Sequence, residues 1–105
     1  MNATLHSPLA NDPDFHPVLV EFVSELPERS QLIRTTLGGR DFPALRRVAH
    51  QLKGAFGGYG YPALTNLAAD VERLIDTGEG IREITVACER LIDGICMVSA
   101  EPETL

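Results

Sequence analysis

Chemistry in this chain concentrates in one stretch, Arg46-Arg47-Val48-Ala49-His50-Gln51-Leu52-Lys53-Gly54, followed by Gly57. Placed on a helix that turns about 100° per residue, Arg46, Arg47, Lys53, Gly54 and Gly57 fall within roughly 60° of His50. Leu45, Val48, Leu52, Ala55, Phe56 and Tyr59 fall on the opposite side, between roughly 140° and 240°, and form the stripe to be buried. His50 therefore stands at the centre of an outward face flanked by cations and glycines. A neutral imidazole is nucleophilic near physiological pH and can take and hold a phosphoryl group. Lys53, the only lysine of the chain, lies one turn on, where an ammonium can offset the charge of phosphoryl oxygens. Gly54 and Gly57 each cost a helix interior about 1 kcal/mol relative to alanine. What they offer in return is close approach of a partner backbone or a phosphoryl group. Without further context, the same face also reads as a solvated polar surface.

The elements that must position this face are helical throughout, since the apolar period beyond residue 14 is that of a helix and no period-2 strand is found. A first helix is expected from about His16 to Leu37, carrying Val18, Leu19, Phe22, Val23, Leu26, Ile33 and Leu37. Pro27 lies within it and predicts a kink or a break. Gly38-Gly39 stops it. The second helix starts with Asp41 as N-cap and Pro43 in its first turn, and runs to about Gly58. The third opens at Pro62 and carries Leu64, Leu67, Ala68, Val71, Leu74 and Ile75 up to Gly78 and Gly80. The fourth carries Ile81, Ile84, Cys88, Leu91, Ile92, Ile95 and Val98. Linkers of about two to five residues favour antiparallel neighbours. The expected fold is all-α, an antiparallel four-helix up-down-up-down bundle over 15–98, with a short N-terminal arm or cap at 1–14 and a frayed C-terminal tail at 99–105.

Bulk properties remove several function classes. The chain has 105 residues, 44% of them hydrophobic, and a formal net charge of −6. That is one globular domain's worth, and its acidity argues against nucleic-acid binding. No signal peptide and no apolar run of bilayer-spanning length is read from it. Cys88 and Cys96, on one helix, would stand roughly 12 Å apart along its axis, too far to pair. Both are read as reduced thiols, with Cys88 as core filler, and the protein as cytoplasmic and monomeric. No Cys/His cluster has metal-ligand spacing, and no carboxylate/histidine pairs of the di-iron type are present, so no metal or cofactor is expected.

Ala49-His50-Gln51-Leu52-Lys53-Gly54, with the later Gly60, resembles the signature of histidine phosphotransfer (HPt) domains. Phe22-Val23-Ser24-Glu25-Leu26-Pro27 resembles the family's first bundle helix. Gly39 through Leu45 resembles its approach to the histidine helix, and Leu64 through Glu72 its next helix. The resemblance implies that His50 is phosphorylated on Nε2, that Lys53 is the phosphate-side cation, and that Gly54 leaves room for the phosphoryl group and the partner. It implies a carrier without kinase activity of its own, which takes a phosphoryl group from one receiver-domain aspartate of a two-component phosphorelay and gives it to another. It further implies that Glu72, at the place of a family Gln or Glu, accepts a hydrogen bond from His50 Nδ1; a solvated helix residue is the alternative. Arg46, Arg47 and Gly57 are candidates for contact with the receiver, or solubilising surface residues. Phe42, Leu37 and Leu64 fit core packing better than an interface. His6 and His16, which lack a Lys/Gly context, read as incidental. The run Phe56-Gly57-Gly58-Tyr59-Gly60 is richer in glycine than the signature asks, so the end of the histidine helix is expected to fray. Three other readings stay open: a docking module without transfer, the phosphoacceptor domain of a chemotaxis-type kinase served in trans, and an unrelated four-helix protein.

Overall fold

The computed structural model describes residues 4–103. Among these residues there are four α-helices and no strand. A short 3-10 helix, Pro8–Asn11, precedes α1 (His16–Gly38), α2 (Phe42–Tyr59), α3 (Pro62–Asp76) and α4 (Ile81–Ile95). Helix α2 packs against α1 and α3, and α4 closes the set by packing against α3 and α1.

The helix starts follow from local chemistry. The Asp41 carboxylate accepts from the Ala44 amide at 3.2 Å, with Pro43 in the first turn of α2. Proline also opens α1 and α3, where its missing N–H leaves no bond unmade. Helix α1 stops at Gly38, but the left-handed residue of the turn is Arg40, at φ 56°. The Arg40 guanidinium bonds back to the Leu37 carbonyl at 3.0 Å.

Pro27 does not break α1, which continues across it as one element. Its ring lies on the exposed side. It is flanked by Leu26 and Ser30, both buried, so packing on either side of the proline holds the helix together. Helix α2 likewise runs through Gly57 and Gly58 to Tyr59 rather than fraying. Tyr59 stacks on Phe22 of α1 with ring centroids 4.3 Å apart, and Phe56 meets the same ring edge-on at 5.7 Å. Gly60 then ends the helix at φ 85°, its amide bonded to the Phe56 carbonyl.

The core is the stripe expected from the helical period, with differences at its margins. Leu45, Val48, Leu52 and Phe56 of α2 are buried, together with Ala49, which the wheel had not placed in the stripe. Leu64 is fully buried, while Phe42 and Leu37 are half-buried against the core. Cys88 is buried and Cys96 exposed, both as free thiols. Val18 (41% exposed) and Ile81 (37%) lie outside the core despite fitting the apolar period. Both sit in the first turn of their helices.

The terminal segments are tied to each other. Leu5 forms a single parallel bridge with Val98, with bonds of 2.7 and 2.8 Å to Met97 and Ser99. Tyr61 OH donates to the Ser99 carbonyl at 2.8 Å, and Ala100 is buried. Residues 99–101, the start of the tail read as frayed, are thus in contact with the domain. Ser7 is buried and donates to the Tyr59 carbonyl at 2.6 Å. A Cβ on Gly60 would stand 2.5 Å from Ser7 Oγ, so this glycine is fixed both by its backbone conformation and by the arm that lies on it.

Candidate functional site

The site is built from one face of α2 and one of α3. Arg46, His50 and Lys53 follow each other at helical spacing along α2, and Glu72 and Asp76, four residues apart, follow each other along α3. Because α2 packs side by side with α3, these two rows meet.

Glu72 is the meeting point. Its side chain is 10% exposed, yet each carboxylate oxygen has partners. Oε2 lies 2.7 Å from His50 Nδ1, and Oε1 accepts from Lys53 Nζ at 2.6 Å. Arg46 Nη2 lies 3.4 Å from Oε2. The hydrogen bond from Lys53 holds the Glu72 carboxyl below the ordinary carboxylate range. Desolvation works against this shift, and the hydrogen bond from His50 adds to it. The residue is therefore an ionised acceptor near neutral pH. An ionised carboxylate can only accept, so the proton of the neutral imidazole resides on Nδ1 and the lone pair on Nε2.

The rest of the imidazole faces outward. The His50 side chain is 61% exposed, and Nε2 has no hydrogen-bond partner among the described residues. Gly54, the next turn of the same face, has nothing within 4 Å of where a Cβ would stand. At Gly57 the nearest atom is Thr65 Oγ1 at 3.8 Å, and at Gly58 nothing approaches. Among the described residues no packing requires glycine at these three positions. Arg47 is exposed.

The structure thus gathers His50, Lys53 and Glu72 into one hydrogen-bonded group, with Gly54 beside it. Arg46 also belongs to this group. It makes two bonds to Asp76, from Nε at 2.6 Å and from Nη2 at 3.2 Å. Asp76 was not singled out from the sequence. Its only advance signal was the four-residue spacing from Glu72, which has meaning once Glu72 is known to face α2. His6 and His16 lie elsewhere, about Glu101: His6 Nδ1 is 2.8 Å from its carbonyl and His16 Nε2 is 3.5 Å from its carboxylate. No group of three or more potential metal ligands is found among the described residues. No helix among them is long and apolar enough to cross a membrane.

No curated protein and no solved structure gave a significant match to the chain. The family model of the Hpt domain matches residues 17–97, which contain α1 to α4 apart from His16 and all five residues of the cluster. The chain belongs to the Hpt domain family.

Proposed function

We propose that this protein is a phosphoryl carrier in a two-component phosphorelay, with His50 as the residue phosphorylated. Membership of the family implies histidine phosphotransfer in phosphorelays, by phosphocarrier domains that are not kinases. The observation that carries the residue assignment is the 2.7 Å contact between His50 Nδ1 and Glu72 beneath an exposed ring. It leaves Nε2 as the free nucleophile at the surface.

In the proposed reaction His50 Nε2 attacks the phosphorus of an aspartyl phosphate on a receiver domain. The new N–P bond forms as the acyl P–O bond breaks, and the receiver carboxylate leaves with the electron pair. The Nδ1 proton stays in place, so the ring becomes cationic and is stabilised by Glu72. Reversal toward a second receiver returns the phosphoryl group to an aspartate. Lys53 offsets the phosphoryl charge, Gly54 admits the group and the receiver backbone, and Arg47, Gly57 and the exposed part of Arg46 border the approach. Receiver pockets of this kind are acidic, and local cations on a chain of net charge −6 favour their encounter. We further propose an up-down-up-down course for the four helices, a bundle spanning 15–98 flanked by an arm at 1–14 and a tail at 99–105, a cytoplasmic location, a monomeric state, and no nucleic-acid or membrane partner.

The test is direct transfer. Wild type mixed with a phosphorylated receiver acquires acid-labile, base-stable label, and His50→Gln acquires none. Lys53→Ala retains its helicity by circular dichroism and is labelled more slowly. Persistent label on His50→Gln sinks the assignment.

A further inference from the structure

The arrangement of cations about Glu72 carries a consequence for the order of events in transfer. Three positively charged or proton-bearing groups from α2 (His50, Lys53 and Arg46) converge on this one carboxylate, and Asp76 follows it on α3. Lys53 is committed to Glu72 Oε1 at 2.6 Å in the unphosphorylated state. A phosphoryl group on Nε2 lies across the imidazole from Glu72, which faces Nδ1. Lys53 Nζ has two further hydrogens for the phosphoryl oxygens, and its charge is then shared between them and Glu72. At the moment of attack the ring is still neutral. Glu72 would then be a nearly buried carboxylate facing a neutral N–H, and charge of that kind resists being left alone.

Arg46 is placed to meet that need. Asp76 takes its Nε and one Nη2 hydrogen in a two-point clamp, at 2.6 and 3.2 Å. Held there, Nη2 also lies 3.4 Å from Glu72 Oε2, within ion-pair range. A planar guanidinium can serve two carboxylates at once in this way, whereas a single ammonium at the end of a flexible chain cannot hold the same fork. We infer that Arg46, held by Asp76, is a positioning residue for transfer: it keeps Glu72 charge-compensated while Lys53 shares its charge with the phosphoryl oxygens. This rests on the phosphotransfer reading above and adds to it a role for the Arg46–Asp76 pair.

A positioning role for Asp76 and a mere surface ion pair shift the Glu72 midpoint in opposite directions. Asp76 and Glu72 are like charges four residues apart, so removing the Asp76 charge alone lowers the Glu72 titration midpoint. If Asp76 acts by holding Arg46 on Glu72, Asp76→Asn releases that cation and the midpoint rises instead.

The experiment uses the full chain, with phosphoramidate as a small phosphoryl donor so that no receiver is needed. Glu72 is followed by carboxyl ¹³C NMR titration, and His50 phosphorylation by rate. Both Arg46 and Asp76 are half-exposed, so the variants are expected to keep wild-type helicity. Arg46→Gln and Asp76→Asn should each raise the Glu72 midpoint by about half a unit and slow phosphorylation about three- to fivefold, the range open to a partly exposed ion pair. Arg46→Lys should not restore the rate. A Glu72 midpoint that falls or stays in Asp76→Asn, or an unchanged rate in Arg46→Gln, overturns the inference. A wild-type protein that takes no phosphoryl group overturns the phosphotransfer reading itself, a result distinct from unchanged variants of a protein that is labelled.

Discussion

Replacing Gly54 by alanine should make the protein more stable and a poorer phosphoryl carrier. The structure fixes the first half. Gly54 lies inside α2, and a Cβ there meets nothing within 4 Å, so the methyl group neither clashes nor packs. What remains is helix propensity, about 1 kcal/mol in favour of alanine. For a domain of this size that corresponds to a rise in Tm of about 4–8 °C. The second half follows from the face. Gly54 lies beside His50 on the side from which a receiver must bring its aspartyl phosphate. A methyl group in a closely packed contact costs about 1–3 kcal/mol, which slows transfer about five- to 150-fold. Thermal unfolding by circular dichroism reads the first quantity, and single-turnover transfer from a phosphorylated receiver reads the second. The opposite signs are the point, because a substitution that merely damaged the fold would lower both. A raised Tm with an undiminished transfer rate would refute the idea that Gly54 is kept for the partner. A lowered Tm would refute the open space at its Cβ.

Gly60→Ala is expected to act in the other direction. The left-handed backbone costs alanine about 1 kcal/mol or more, and the 2.5 Å approach to Ser7 Oγ displaces the hydrogen bonds of Ser7 to Tyr59 and Leu9. A fall in Tm of about 10 °C or more should be seen, and an unchanged Tm would contradict the packing of the arm on the helix end. Glu72 should contribute to acid stability. Its folded carboxyl titrates below the ordinary 4.5, so its pairing is fully present above that value and is lost as pH falls through the lower folded one. Glu72→Gln should therefore flatten the loss of stability on acidification, and an acid limb as steep as wild type would show that the pairing adds nothing. The thiols should differ in reactivity, because burial pushes Cys88 up to about 11 while Cys96 is exposed. At pH 8 the native protein should react with a thiol reagent at Cys96 alone, both should react in denaturant, and native labelling of Cys88 would argue against its burial.

What was legible in the sequence was whatever depends on one helix at a time. The outward placement of His50, Lys53 and Gly54 follows from helical spacing, as does the buried stripe Leu45-Val48-Leu52-Phe56. The start of α2 was legible from Asp41 and Pro43, whose capping chemistry is local. Relations between helices were not legible in that way. Glu72 lies 22 residues from His50, and its contact depends on the register of α3 against α2. Only the family resemblance pointed to it. The Arg46–Asp76 clamp depends on the same register and left no separate mark. Gly94 is a similar case: a Cβ there would stand 2.9 Å from Leu67 Cδ1 and 3.1 Å from Leu64 Cδ2. That glycine marks close approach of α4 to α3, which spacing along α4 does not reveal. Pro27 and the Gly57-Gly58 pair show the converse. Read locally, the first predicts a kink or a break and the second a frayed end; α1 is not broken and α2 runs on to Tyr59, with Leu26 and Ser30 buried on either side of the proline and Tyr59 stacked on Phe22.

Phosphoryl transfer by this protein turns on one nitrogen atom, His50 Nε2. The protein, ¹⁵N-labelled in its histidines, can be phosphorylated by a receiver or by phosphoramidate and its imidazole resonances followed by ¹⁵N and ³¹P NMR. A single phosphorylated histidine, His50, is expected, with phosphorus bonded to Nε2 and Nδ1 still carrying its proton toward Glu72. Phosphorus on Nδ1, on His6 or His16, or on no histidine at all contradicts this expectation.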